Sequence, residues 1–225
     1  MLLKSRISKI EIYGDEWFQK RLGKITSSEV HFITGSSFWT TGCQTYIYRK
    51  AGEKITGKVM IKGSEPSAIL DAMQWGNAHE IEAIKAFAVK KKLDFVVYQK
   101  LISDEENGYG STPDGLIVHR ETSNELEYDV STIEVKCPPT YHNYIRLALC
   151  STPQQLKQES SQYYWQVLDQ MLICQSMVGY FVTYHPEFNK CNMSIIEFRK
   201  MQKVDGAYPL IADLDFLKNR KEMAK

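Results

Sequence analysis

The sequence lacks a surplus of charge of either sign. Its 28 Lys and Arg stand against 27 Asp and Glu, a net charge of +1, so the chain is not a polycation that coats nucleic acid indiscriminately. Any affinity for phosphate must come from local asymmetry. It also lacks an apolar run near the ~20 residues that a membrane-spanning helix needs. The N-terminal stretch MLLKSRISKIEIY is broken by charge at positions 4, 6, 9 and 11, which excludes the apolar region of a signal peptide. The expectation is a soluble, cytoplasmic protein with no membrane among its partners. The five cysteines include no Cys-x-x-Cys pair, which removes the usual spacing of zinc and redox sites and leaves reduced, mostly buried thiols. No repeat, low-complexity tract or Pro/Gly-rich linker divides the chain. With 225 residues and 43% hydrophobic content, one compact domain is predicted.

The order of elements reads as helices, then a sheet, then a long helix, a strand and a terminal helix. Residues 15–22 predict a helix opened by Asp15, and Thr26-Ser27-Ser28-Glu29 predicts the start of another, with hydroxyls for capping. Residues 67–92 give the clearest helix: Ile69, Met73, Gly76, Glu80, Ile84 and Phe87 recur at helical spacing, and lysines close the C-terminal end. From 93 to 137 the pattern shifts to short strand-like runs, at Phe95–Tyr98, Leu116–His119 and Ile133–Cys137, separated by turn segments such as Glu106-Asn107-Gly108 and Pro113-Asp114-Gly115. Residues 160–178 predict a helix buried on two sides, followed by a strand over 179–184, a further strand over 194–199 and a charged terminal helix. The single domain divides into a helical part over about 1–66, a core over about 67–200 and a helix over about 208–225.

Chemistry concentrates in Ser131-Thr-Ile-Glu-Val-Lys-Cys137. On a strand, Ile133, Val135 and Cys137 share one face, while Glu134 and Lys136 share the other. Asp114, in a turn before the apolar Leu116-Ile-Val118, can reach the same sheet edge. Two hard oxygen ligands and an ammonium suit phosphodiester hydrolysis, in which magnesium polarises the phosphoryl oxygen and lowers the pKa of a water. Lys136 would orient or deprotonate that water. Taken singly, Glu-x-Lys is usually an ion pair on a strand and Pro-Asp-Gly usually a turn; the ordered combination carries the reading. Glu80 adds to it, because a carboxylate on an apolar stripe carries a desolvation penalty unless it is paired or metal-bound. Gln166, on the later helix, can reach the same place.

These segments resemble the lambda exonuclease group, the YqaJ-type viral recombinase nucleases of the PD-(D/E)xK superfamily. Trp17 to His31 looks like that family's opening arginine and Ile-Thr-x-Ser-Glu segment, and Trp75-Gly-Asn-Ala-His-Glu80 like its Trp-Gly-x-x-x-Glu helix. Ser111-Thr-Pro-Asp-Gly-Leu116, Glu134-Val-Lys-Cys-Pro138, the helix around Gln166 and Tyr180-Phe-Val-Thr-Tyr-His-Pro186 follow in the family's order. The resemblance implies an α/β (α+β) fold: a central mixed β-sheet flanked by helices, with a restriction-endonuclease-like core. It implies Glu80, Asp114, Glu134 and the carbonyl of Val135 around one or two magnesium ions, with manganese as an alternative. Lys136 would stand at the water and Gln166 would help place the site.

The same resemblance implies a 5′-phosphate pocket of Arg21, Ser28 and Thr112, with Thr112 standing where the family has serine. An arginine fork and hydroxyls beside a helix start suit phosphate. The implied activity is a 5′-to-3′ exodeoxyribonuclease that digests one strand of linear duplex DNA to mononucleotides. It would leave 3′ overhangs for a single-strand annealing protein in phage-type recombination, in a bacterial or phage-infected cell. Its partners would be DNA ends, the annealing protein and copies of itself, with a ring-shaped trimer as the family example. Between Asp114 and Glu134 the chain carries a longer polar segment, Arg120–Asp129, than the family example. The alternatives are an endonuclease or single-strand nuclease with the same metal site, and a non-catalytic DNA-binding recombination protein.

Overall fold

A computed structural model of the chain describes residues 2–58, 67–93, 96–121, 127–204 and 207–225. Strand β1 (Leu2–Leu3) and a 3-10 turn (Lys4–Arg6) precede helix α1 (Asp15–Arg21). Strand β2 (Ile25–Thr26) runs into a 3-10 helix (Ser27–Ile33), followed by α2 (Thr41–Thr56) and α3 (Ser67–Lys91). Strands β3 (Val97–Tyr98), β4 (Ile102–Asp104), β5 (Tyr109–Ser111), β6 (Gly115–Glu121) and β7 (Glu127–Lys136) come next. Helices α4 (Tyr141–Ala148), α5 (Pro153–Glu159) and α6 (Ser161–Ile173) lead to β8 (Val178–Tyr184), β9 (Met193–Arg199) and α7 (Pro209–Met223).

The larger sheet has the order β3-β6-β7-β8-β9, with β1 also paired to β7. Among the described residues, only β7 and β8 run parallel within it. A parallel pair needs a crossover, and α4, α5 and α6 supply one. The smaller sheet, β2-β5-β4, joins one parallel and one antiparallel pair. The fold is thus a mixed α+β arrangement, as the sequence predicts.

The alternation on β7 sorts its two faces. Ile133, Val135 and Cys137 join Ala83, Ile84 and Phe87 of α3 in one apolar cluster. A second cluster carries the buried α6 residues Tyr164, Val167, Leu168 and Met171 together with Phe181 of β8. Here α6 lies close on the sheet: a Cβ at Gly179 would stand 2.9 Å from the sulfur of Met171. A strand with a helix on each face must carry polar side chains inside the protein: on β7 Ser131, Thr132 and Glu134 are buried, and Lys136 is part-exposed.

Several boundaries differ from the sequence reading. The segment after Thr26 is a 3-10 helix, and the Thr26 hydroxyl does not cap it. It donates to the Glu29 carboxylate at 3.3 Å, which Arg49 and Lys50 also hold. Helix α1 is N-capped by Gly14, with Asp15 as its first residue. Helix α6 stops at Ile173 rather than 178, because Gln175 turns into the left-handed region at φ +53°. Met73 lies on the solvent side of α3, 58% exposed, whereas Glu80, Ile84 and Phe87 are buried as expected. Helix α2 and the three-stranded sheet have no counterpart in the sequence reading beyond the helical N-terminal part. All five thiols are free, and only Cys191 is exposed. Phe95 and residues 122–126 of the polar segment lie outside the described residues. Among the described residues no helix is long and apolar enough to cross a membrane.

Candidate active site

The register of β6 against β7 pairs Gly115 with Ile133, which leaves Asp114 at the end of β6 beside Glu134. The Asp114 Oδ2 accepts from the backbone N–H of Val135 at 2.7 Å. Glu134, only 1% exposed, is surrounded by donors. The Lys136 ammonium and Gln166 Nε2, the latter at 2.5 Å, donate to its Oε1, and Gln170 Nε2 donates to its Oε2. Gln166 and Gln170 are one helical turn apart on α6, so one helix face clamps both carboxylate oxygens. Glu80 enters from α3 and accepts from the Gln99 side chain. The backbone N–H of Gln99, held at φ +34°, donates to the Asp114 carbonyl at 3.1 Å. One residue therefore ties Glu80 to Asp114.

Three carboxylates and one ammonium share this space. Burial, followed by the charges of Glu134 and Glu80, holds the Asp114 carboxyl well above its ordinary value. Burial also raises Glu80, with Glu134 adding to the rise and the Gln99 hydrogen bond opposing it. Burial pulls the Lys136 ammonium down, but Glu134 and Asp114 outweigh it, and the net shift is upward. The Tyr13 phenol is raised by burial and then by Glu80 and Asp114. The cluster holds more negative charge than its one lysine offsets, a state that either a proton or a dication relieves.

A stability consequence follows. With its folded pKa above the ordinary 3.8, Asp114 binds protons more readily folded than unfolded. In chelator, its contribution to stability is therefore lost as pH rises from the unfolded value through the folded one. Asp114→Asn is expected to raise the melting temperature by a few degrees at pH 8 and to change it little at pH 4. Thermal melts across that range in EDTA test this; an equal loss at both pH values would show that the carboxylate is a net structural support.

Among the described residues, no three His, Cys, Asp or Glu side chains stand close enough together to hold a metal ion. Each predicted acidic ligand is instead engaged within the protein: Glu80 by Gln99, Asp114 by the Val135 N–H, and Glu134 by its three donors. The donor set is nonetheless all oxygen and anionic, the kind that magnesium takes. Gathering the acids on one ion asks the Gln99 and Val135 hydrogen bonds to yield.

A cleft of about 1740 Å³ opens beside these residues and is lined by Arg21, Ser28, Glu80, Val135, Lys136 and Gln166, among others. The Arg21 guanidinium lies 4.1 Å from the Trp17 ring centroid. Burial lowers its pKa, with Glu29 opposing. Thr112 is tied to the same tryptophan, accepting from the indole N–H at 3.3 Å. Arg21 and Thr112 thus flank Trp17, and Ser28 is exposed in the cleft. Beneath them lies a buried network. A hydroxyl has one proton to give, so Ser27 donates to Asp169 and accepts from Ser111, both at 2.8 Å. Asp169 in turn pairs with Lys221 at 2.6 Å, and both side chains are fully buried.

The family model of the YqaJ-like viral recombinase domain matches residues 16–177, a span that contains Arg21, Ser28, Glu80, Thr112, Asp114, Glu134, Lys136 and Gln166. The chain belongs to this family. No curated protein sequence matches it. Among solved structures, the alkaline exonuclease LHK-Exo of Laribacter hongkongensis is similar at 23% identity over 94% of each chain, with a TM-score of 0.63. The same protein in complex with dAMP gives 0.62. A phage-related exonuclease from Haemophilus somnus 129PT is similar at 12% identity over 89% of this chain and 92% of its own, with a TM-score of 0.61. At these identities the likeness shows a shared fold. Within this YqaJ-family chain, the predicted residues Glu80, Asp114, Glu134, Lys136 and Gln166 meet in one place. Gln170, Gln99 and the Asp169–Lys221 pair were not anticipated. Gln170 had a signal, four residues beyond Gln166 on the same helix face; Gln99 had none, since a tertiary contact alone brings it to Glu80.

Proposed function

We propose that the chain is a magnesium-dependent exodeoxyribonuclease that digests the 5′-ended strand of linear duplex DNA to mononucleotides. The observation that carries this reading is the meeting of Asp114, Glu134 and Lys136 beside a cleft that also holds Arg21. Glu80, Asp114, Glu134 and the Val135 carbonyl would hold one or two ions, with manganese as an alternative. When bound, the metal supplies phosphoryl polarisation and a water of lowered pKa. The protein's own part is positioning and charge. Gln166 and Gln170 fix the rotamer of Glu134, and Lys136 directs the attacking water and offsets charge at the reacting phosphate. Arg21, Ser28 and Thr112 take the terminal 5′-phosphate, which sets cleavage one nucleotide from the end.

Family membership and the fold shared with two exonucleases support this reading, as does the capture of LHK-Exo with a nucleoside monophosphate. Recognition of phosphate and of an end carries no base information. The 3′ overhang left behind would pass to a single-strand annealing protein. Assembly into a ring of identical subunits would keep the duplex threaded.

The test is digestion of linear duplex carrying a 5′-phosphate or a 5′-hydroxyl, with magnesium or with EDTA, beside closed circles. Mononucleotides are expected from the phosphorylated end with magnesium alone. Arg21→Ala is expected to cut the preference for the phosphate roughly 10- to 100-fold, the worth of a charge-assisted hydrogen bond. Cutting of closed circles would identify an endonuclease. Binding without cleavage in any metal would identify a DNA-binding recombination protein.

A further inference from the structure

We infer that Tyr13 is a substrate-contacting residue whose ring stacks on a nucleobase of the strand end entering the cleft. The inference rests on the exonuclease reading for its substrate and on three observations of its own. The first is placement. Tyr13 lines the cleft with Arg21, Glu80 and Lys136 and is 55% exposed. Its ring centroid lies 5.1 Å from that of Trp17, the residue on which Arg21 rests. The charges of Glu80, Asp114, Arg21 and Lys136 all act on its phenol. A nucleotide with its phosphate at Arg21 and its scissile bond at the acids would carry a base within reach of this ring.

The second observation is backbone geometry. Tyr13 sits at φ +64°, a left-handed conformation that glycine adopts freely and that costs another residue about 1–2 kcal/mol. The neighbouring Gly14, the N-cap of α1, sits at φ −79°, which any residue can adopt. An aromatic side chain thus occupies the strained position while more than half of its surface faces solvent. Burial does not account for a tyrosine there. Strain of this kind persists at ligand-contacting positions, where the surrounding structure holds the residue in place.

The third is chemical fit. An exposed aromatic face accepts any base, and base–aromatic stacking strengthens single-strand binding without reading sequence. That suits a site that recognises an end and must advance through every base in turn. Phe18, Phe32 and Tyr163 also line the cleft, and the Lys136 ammonium lies 5.2 Å from the Tyr163 ring centroid, but none of the three sits on a left-handed backbone. Tyr13 alone among the described cleft aromatics combines an exposed ring with a strained backbone.

The same strain supplies a clean experiment. Tyr13→Gly removes the ring and relaxes the backbone, so its melting temperature is expected to equal or exceed that of the parent, which separates lost contact from lost fold. Equilibrium binding is measured in calcium, without turnover, to a 5′-phosphorylated duplex end with either normal or abasic nucleotides at its first two 5′ positions. The parent protein is expected to bind the abasic end about 5- to 100-fold more weakly. Tyr13→Gly is expected to bind both ends alike, at the weaker level, and Tyr13→Phe to keep the preference for normal ends. If Tyr13→Gly still discriminates as the parent does, or if the parent never discriminates, the stacking role is overturned. Because binding is read without cleavage, an inactive protein that shows the Tyr13-dependent preference would leave this inference standing and remove the exonuclease reading instead.

Discussion

Lys136→Met is expected to lower kcat on linear duplex DNA by about 10²- to 10⁴-fold, the range for losing a positioned proton-handling group, with little change in melting temperature. Among the described residues Lys136 is the sole ammonium donating to Glu134, and its side chain keeps 26% exposure. Glu134 retains its two glutamine donors when the lysine is removed, so the strand does not lose its only partner. The metal requirement separates this role from that of a ligand. Without the lysine the carboxylates carry more net negative charge, so the magnesium concentration for half-maximal rate is expected to stay level or fall. Glu134→Gln is expected to raise it. Steady-state rates across a magnesium titration decide the matter. A Lys136→Met enzyme restored to parental kcat by extra magnesium would show that the lysine serves the metal site and not the water.

Lys221→Met is expected to destabilise the fold by about 3–5 kcal/mol, the cost of leaving a buried charge without its partner. For a chain of this size that corresponds to a fall in melting temperature of roughly 6–20 °C. Both Lys221 and Asp169 are fully buried, and burial pulls the Lys221 ammonium below its ordinary value, with Asp169 opposing. Removing the lysine strands Asp169 with Ser27 as its remaining donor among the described residues. The double variant Asp169→Leu/Lys221→Met is expected to recover most of the loss, because a buried pair replaced by apolar groups is often neutral. Calorimetry of the two variants checks both numbers. A melting temperature unchanged in Lys221→Met would mean that water reaches Asp169 and that the pair is not sealed.

The parts of the fold legible in the sequence were those with sustained periodicity. Helices α3 and α6 carry enough turns for the pattern to exceed chance; of β7, which spans Glu127–Lys136, the alternation read was that from Ile133 onward, and α7 was read from its charge. The three-stranded sheet was illegible because its strands are two or three residues long, too short for any alternation. The end of α6 was misread because a residue without special propensity, Gln175, takes the left-handed turn that stops the helix. At the site, Asp114, Glu134 and Lys136 were legible from strand alternation and a turn. Their grouping with Glu80 came from motif order and the family resemblance. Gln99 and Lys221 were not legible, because each works through a contact across the fold that no local pattern records. Lys221 in particular reads as one more charge in a charged terminal helix, yet it is among the most deeply buried side chains described.

The Asp169–Lys221 pair also sets an order in time. Synthesis runs from the N-terminus, and Asp169 is made 52 residues before the lysine that neutralises it. Until residue 221 has left the ribosome, Asp169 has the Ser27 hydroxyl but not its cation, and α6 is the helix that presents Gln166 and Gln170 to Glu134. The destabilisation expected in Lys221→Met is therefore also a measure of how weakly an unfinished chain holds this site. A nascent chain ending before α7 is expected to hold Gln166 and Gln170 against Glu134 more weakly than the finished one.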